Sequence, residues 1–275
     1  MLPVAFVPST PLLHPEIAGS AAEATAATRD AARMAMTALL PRPTVVVLGG
    51  LGVGGRPPAR AQLDTLRPWP ADADDCLREF GLPDPVGSGP EPVAGGTQGR
   101  SHDARADATK ERLPLSLSLG RWLLRDADFA GDIGLISVDG SPADVTAASR
   151  QLELSPDCGL LVVGDGTATR SDKAPGHLVS GAIEFDNRLA EAFQSADMSV
   201  FNNLPAAADI EFLLDGRCAW QAAMTVCGHF GAPDTSELLA FEAPHGVAYF
   251  VAAWLVRESM EPGVFQSAPT AQTAQ

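Results

Sequence analysis

The chain is expected to fold as an α/β protein whose strands are largely covered on both faces. Residues 44–48, 132–138 and 159–163 are short, branched-rich apolar runs with little alternation, the pattern of strands buried between two layers. Segments with helical signals stand between such runs, so strands and helices alternate. Glycine-rich turns at Gly49-Gly50-Leu51-Gly52 and Gly164-Asp165-Gly166 then close two strand–helix–strand units, each with a right-handed crossover expected.

Residues 2–8 read as the first strand, ending at Ser9-Thr10-Pro11. Ser20 and Glu23 have the spacing of a capping box, which predicts an alanine-rich helix running to Pro41. A strand at 44–48 follows. Residues 56–112 are the least organised part, and 83–108 lack apolar periodicity and cannot bury enough surface to offset ordering entropy. A mobile loop is expected there, with an active-site lid as the alternative. Residues 113–124 read as a buried helix and 132–138 as a strand. Ser141 as N-cap, Pro142 at the first helical position and Asp144 in the first turn predict a helix to about Leu154.

After the strand at 159–163, helices are expected at 182–196 and 205–228. The first carries Ile183, Phe185, Leu189 and Phe193 on its apolar face, the second Ile210, Phe212, Leu213, Trp220 and Met224. Residues 238–241 and 247–256 read as closing strands, the second apolar throughout and so central. The residues from Glu261 on are low in complexity and should fray. No internal repeat is present.

With 275 residues, 45% of them hydrophobic, the chain fits one large domain or two small ones and can bury a core. The formal charge of −15 argues against nucleic acid or an anionic membrane as partner, since long-range repulsion opposes both. Cys76, Cys158, Cys218 and Cys227 show neither CxxC spacing nor the density of a disulfide framework, so reduced thiols are expected. The N-terminus lacks a basic region and is interrupted by prolines, and no run of 18 apolar residues occurs. A cytoplasmic location is the expectation.

The densest cluster of chemistry follows the 159–163 strand. Ligands in open α/β sheets collect beyond the carboxyl ends of parallel strands, where Gly164-Asp165-Gly166-Thr167 would lie. Glycines there allow close backbone approach to a ligand, and Asp165, Thr167, Arg170, Asp172, Lys173 and His177 add polar groups within one loop. GDG is also an ordinary turn sequence. The loop is no dinucleotide fingerprint, because Thr169 stands where the third glycine belongs, and no Gly-Lys-Ser/Thr follows to make a phosphate loop.

Three segments together carry a resemblance: Leu113-Pro-Leu-Ser-Leu with Trp122, then Gly164-Asp-Gly-Thr-Ala with Lys173-Ala-Pro-Gly176 and Phe185-Asp186, then Ala243-Pro-His-Gly-Val-Ala-Tyr-Phe, with Ala219-Trp-Gln221 between. The set resembles a divergent actinobacterial branch of the class III extradiol ring-cleavage dioxygenase (LigB-like) superfamily, over nearly the whole chain. The resemblance, which leaves about 57–108 and the last dozen residues without a counterpart, implies a single α/β domain, here residues 1–260 ahead of the flexible tail at 261–275, with a mixed, mostly parallel central sheet and helices on both faces. For active members it also implies Fe(II) held by two histidines and a glutamate, with a further histidine as acid/base.

Carried over position by position, that chemistry is missing. Ser9-Thr10-Pro11 stands where the first iron histidine would begin a His-x-Pro triplet, and Gly49-Gly50-Leu51 where the second would follow the second strand. Thr169 or Arg170 occupies the acid/base position. The iron glutamate would fall near Gly216-Arg217-Cys218, with Asp215 the nearest carboxylate. His14 reads as a helix-leading histidine rather than a ligand. No cofactor is therefore expected. A crevice lined by Ser9, Thr10, Gly50, Gly164, Asp165, Gly166, Thr167, Arg170, Lys173, His177 and His245 would bind a small polar or aromatic molecule. The alternatives are an active iron enzyme with displaced ligands, for which His177, His245 and Asp165 are the candidates for Fe(II), and a non-catalytic subunit of a homo- or hetero-oligomer.

Overall fold

The computed structural model describes residues 1–52, 65–82 and 112–257. The expected loop at 83–108 and the expected tail at 261–275 lie outside the described residues. Seven strands form one mixed sheet: β1 (Leu2–Val7), β2 (Thr44–Gly50), β3 (Leu66–Trp69), β4 (Asp132–Val138), β5 (Cys158–Val163), β6 (Pro233–Glu242) and β7 (Tyr249–Val256). Their order is β3-β4-β2-β5-β1-β7-β6. The central four, β4-β2-β5-β1, are mutually parallel, β3 on one side and β7 on the other run antiparallel to them, and β6 pairs antiparallel with β7. The helices are α1 (Pro15–Ala18), α2 (Ala26–Met36), α3 (Leu115–Asp126), α4 (Pro142–Ser149), α5 (Ala182–Ser195), α6 (Met198–Asn202), α7 (Ala208–Glu211) and α8 (Arg217–Phe230).

The side-chain period of two sorts the central strands between two cores. Val4, Phe6, Leu48, Leu160 and Val162 pack with Leu189, Phe193, Phe201 and Trp220 on the face that carries α5, α6 and α8. Ala5, Val7, Val45, Val47, Leu161 and Val163 pack with Ala32, Met36, Leu117 and Leu123 on the face that carries α2 and α3. Every residue of β1 and β5 is buried, as their unbroken apolar runs require. Phe193 anchors the first core, with its ring edge-on to Phe6 at 5.1 Å and to Trp220 at 5.4 Å. Among the described residues no helix is long and apolar enough to cross a membrane.

Four boundaries differ from the sequence reading. The Ser20/Glu23 capping box does not start a helix; residues Gly19–Thr25 form a 3-10 helix, and α2 opens after Thr25 with no side-chain cap. Its last turn ends at Met36, because the chain must turn before Pro41 and Pro43 to enter β2. The Ser141 cap does form, its hydroxyl accepting the Asp144 N–H, but α4 stops at Ser149, five residues before Leu154. The helix expected at 205–228 is split into α7 and α8. Leu213 takes a left-handed φ of 50° between them, so an unbroken helix is impossible, and Ile210, expected on the apolar face, is 84% exposed. Likewise Ile183 stands 42% exposed on α5, outside the stripe formed by Phe185, Leu189 and Phe193.

Candidate functional site

β1, β2 and β5 are parallel neighbours in the order β2-β5-β1, so their carboxyl ends lie side by side at one rim of the sheet. At the end of β1, Thr10 caps a one-turn 3-10 helix that Pro11 begins, and its hydroxyl accepts the Leu12 N–H. This sharp exit leaves Ser9 buried beside the end of β5. The Ser9 N–H donates to Asp165 Oδ1 at 2.8 Å, and its hydroxyl donates to Asp215 Oδ2 at 2.5 Å. The Asp165 N–H lies 3.4 Å from the same Asp215 oxygen. Two carboxylates from different loops thus meet over one serine.

Glycines make this approach possible. A Cβ on Gly164 would sit 2.5 Å from the Gly216 Cα, so the end of β5 and the start of α8 touch backbone to backbone. A Cβ on Gly50 would stand 3.1 Å from the Asp215 carbonyl oxygen. The Gly216 N–H donates to the Asp165 carbonyl at 2.8 Å and locks the contact. The loop glycines therefore serve close packing within the protein: a Cβ on Gly166 would meet Phe250 at 2.5 Å and Ala248 at 2.7 Å.

The electrostatics follow from burial and from the neighbouring carboxylate. Burial first, and the neighbouring Asp215 carboxylate second, push Asp165 up to about 8, against the opposing pull of the Ser9 hydrogen bonds. Two carboxylates this close resist ionising together, so Asp165 holds a proton well above the ordinary carboxylate range. Tyr249 completes the cluster. Its hydroxyl donates to Thr10 Oγ1 at 3.2 Å, and burial followed by the charge of Asp165 raises it to about 12. The cluster thus offers a carboxyl donor, a carboxylate acceptor and three hydroxyls within one rim, a set suited to hydrogen-bonding a polar ligand or to moving a proton.

Of the expected crevice residues, Ser9, Thr10, Gly50, Gly164 and Asp165 come together here. Thr167 and Arg170 turn away from the cluster. The fully buried Asp186 of α5 accepts the Thr167 N–H at 3.1 Å, the Thr167 hydroxyl at 2.6 Å and Arg170 Nη1 at 2.9 Å. Arg170 also lies over the Phe241 ring at 5.1 Å. Lys173, His177 and His245 are exposed. His177 has a left-handed φ of 57° and directs Nδ1 toward the Asp172 carbonyl at 3.2 Å. Asp215 and Tyr249 are the cluster members that sequence reasoning did not place in the crevice. The Asp215-Gly216 pair is a turn signal inside an apolar period, and it marks the break that sets Asp215.

A non-haem iron site of the two-histidine, one-carboxylate kind does not fit these residues. The strand ends provide the Ser9 hydroxyl and, at Gly50, no side chain. Nor do His177, His245 and Asp165 assemble a substitute: no group of three or more His, Cys, Asp and Glu side chains able to hold a metal ion occurs among the described residues. The chain matches no protein-family model, and no curated protein matches it.

Proposed function

We propose that this chain is a member of the class III extradiol dioxygenase (LigB-like) superfamily that lacks the iron ligands and uses the Ser9–Asp165–Asp215 cluster to bind a small polar or aromatic molecule without opening its ring. One observation carries the reading. The resemblance puts the iron ligands at Ser9, at Gly49-Gly50-Leu51 after the second strand and near Gly216-Arg217-Cys218, and in this chain Ser9, Gly50 and Asp215, the carboxylate nearest the last of these positions, adjoin one another. The mixed sheet with helices on both faces agrees with that reading. Without imidazoles, the polar chemistry of the rim passes to the protonated Asp165 and its neighbours.

Two measurements test this. Protein loaded anaerobically with Fe(II) and desalted should retain no stoichiometric metal and should take up no oxygen with catechols. Near-equimolar iron that is lost on His177→Ala, together with ring cleavage, would replace the proposal with a dioxygenase whose ligands are displaced. In parallel, catechol and 4-hydroxybenzoate should raise the melting temperature of the wild-type protein and leave that of Asp165→Asn unchanged. Equal shifts in both proteins would move the binding site away from the cluster.

A further inference from the structure

A second concave site lies on the helical face, between α5 and the segment from Asp197 to Pro205, and it shares no residue with the Ser9 cluster. The cleft has a volume of about 500 Å³, within the range of small-molecule pockets. Phe185, Leu189 and Leu204, all buried, supply its apolar floor. Phe185, Arg188 and Leu189 stand at i, i+3 and i+4 on one face of α5, so the cation sits directly above that floor. The Arg188 guanidinium lies over the Phe185 ring at 5.7 Å, a posture that steadies a long side chain at the cleft mouth.

Charge of the other sign stands on the same rim. Glu191 follows Arg188 by three residues, yet the two form no ion pair among the described residues. Asp197 uses Oδ1 to accept from the Ser199 N–H and hydroxyl, which holds its carboxylate below the ordinary range and keeps it charged near neutral pH. The cleft therefore presents one cation and two anions around an apolar floor, without mutual neutralisation. A ligand with a lone charge would satisfy one side of that rim and meet repulsion from the other.

From this arrangement we propose that the α5–α6 cleft binds a small zwitterion with an apolar body, in the class of a free aromatic or aliphatic α-amino acid. Its carboxylate pairs with Arg188, its ammonium with Asp197 and Glu191, and its side chain covers Phe185, Leu189 and Leu204. The guanidinium fork suits a carboxylate, and the apolar floor selects against small polar amino acids.

The test uses L-phenylalanine, phenethylamine and 3-phenylpropionate, which share a phenyl group and differ in charge. Titration of the full chain followed by amide NMR should give saturable shifts on α5 and α6 with L-phenylalanine, and binding about tenfold weaker with each singly charged analogue. Arg188→Gln should abolish the preference for L-phenylalanine over phenethylamine, and Glu191→Gln, which spares the α6 cap, should reduce the preference over 3-phenylpropionate. Equal binding of all three compounds, or no saturable shift with any of them, overturns the proposal. Shifts confined to the Ser9 cluster would also overturn it, while leaving the reading of that cluster intact.

Discussion

Asp165 and Asp215 stand fifty residues apart in the chain, yet the N–H of one lies 3.4 Å from a carboxylate oxygen of the other and Ser9 hydrogen-bonds to both side chains. Both carboxylates belong to loops held in register by the Gly164–Gly216 contact. Such a pair costs stability when both members ionise, so its presence at a sheet rim is better explained by chemistry than by folding.

The pair makes the fold sensitive to alkali. The folded-state value of Asp165, about 8, stands above its ordinary 3.8, so the native protein keeps a proton that the unfolded chain releases. That contribution is complete below about pH 4 and is lost as pH rises toward 8. Asp165→Asn remains neutral throughout. Its stability should fall less than that of the wild type between these limits, by roughly 1–3 kcal/mol once solvent screening is allowed for. Urea midpoints of both proteins at pH 4, 6 and 8 measure the difference, and parallel curves would mean that Asp165 ionises normally.

Asp186 should matter to stability more than its neighbours on α5. It is fully buried and receives three hydrogen bonds from Thr167 and Arg170, whose side chain is itself mostly buried. Asp186→Ala strands the Arg170 cation, a change expected to cost about 3–5 kcal/mol. Asp186→Asn retains an acceptor and should cost less. Chemical denaturation ranks the two variants, and an Asp186→Ala protein within about 0.5 kcal/mol of wild type would remove the structural role given to this latch.

The parts of the fold legible in the sequence are those governed by local pattern. The runs at 132–138 and 159–163 are branched, apolar and bounded by turn residues, and β4 and β5 occupy them almost residue for residue. Ser141, Pro142 and Asp144 declare a helix start by their own chemistry. β3 was not legible: it has four residues, includes Pro68, and exists only because β4 offers it an edge. The cluster was half legible. Ser9, Gly50 and Asp165 follow apolar strands and are found by looking past strand ends, whereas Asp215 lies within an apolar period that reads as one long helix. Its position depends on the Leu213 backbone and on the glycine contact, both of which are tertiary.

Thiol labelling offers an independent check on the core beneath α8. Burial pushes Cys218 and Cys227 up to about 12, and Cys76, which is only half-buried, is raised as well. Because the thiolate is the reacting form, native protein near neutral pH should react with a thiol reagent slowly, Cys76 first, and all four cysteines should label after unfolding. Cys227 reacting as fast as Cys76 would reveal local opening of α8.

His14 should weaken the fold in acid, the reverse of Asp165. It follows the one-turn helix Pro11–Leu13, its ring lies 4.5 Å from that of Trp122, and its Nδ1 is buried with no hydrogen-bond partner among the described residues. Burial lowers its affinity for a proton; the carboxylates of Glu16 and then Asp126 oppose that shift, and Arg29 adds to it. The folded value therefore lies below the ordinary 6.5, and the unfolded chain takes up the proton first. Stability that is full above pH 6.5 is lost as pH falls through the folded value. His14→Phe keeps a ring against Trp122 and removes the titration, so it should lose less stability than the wild type between pH 7 and pH 5. NMR titration of the His14 ring should give a midpoint below 6.5. A midpoint at or above that value, with equal acid losses in the two proteins, would show that water reaches Nδ1 and that this turn does not sense pH.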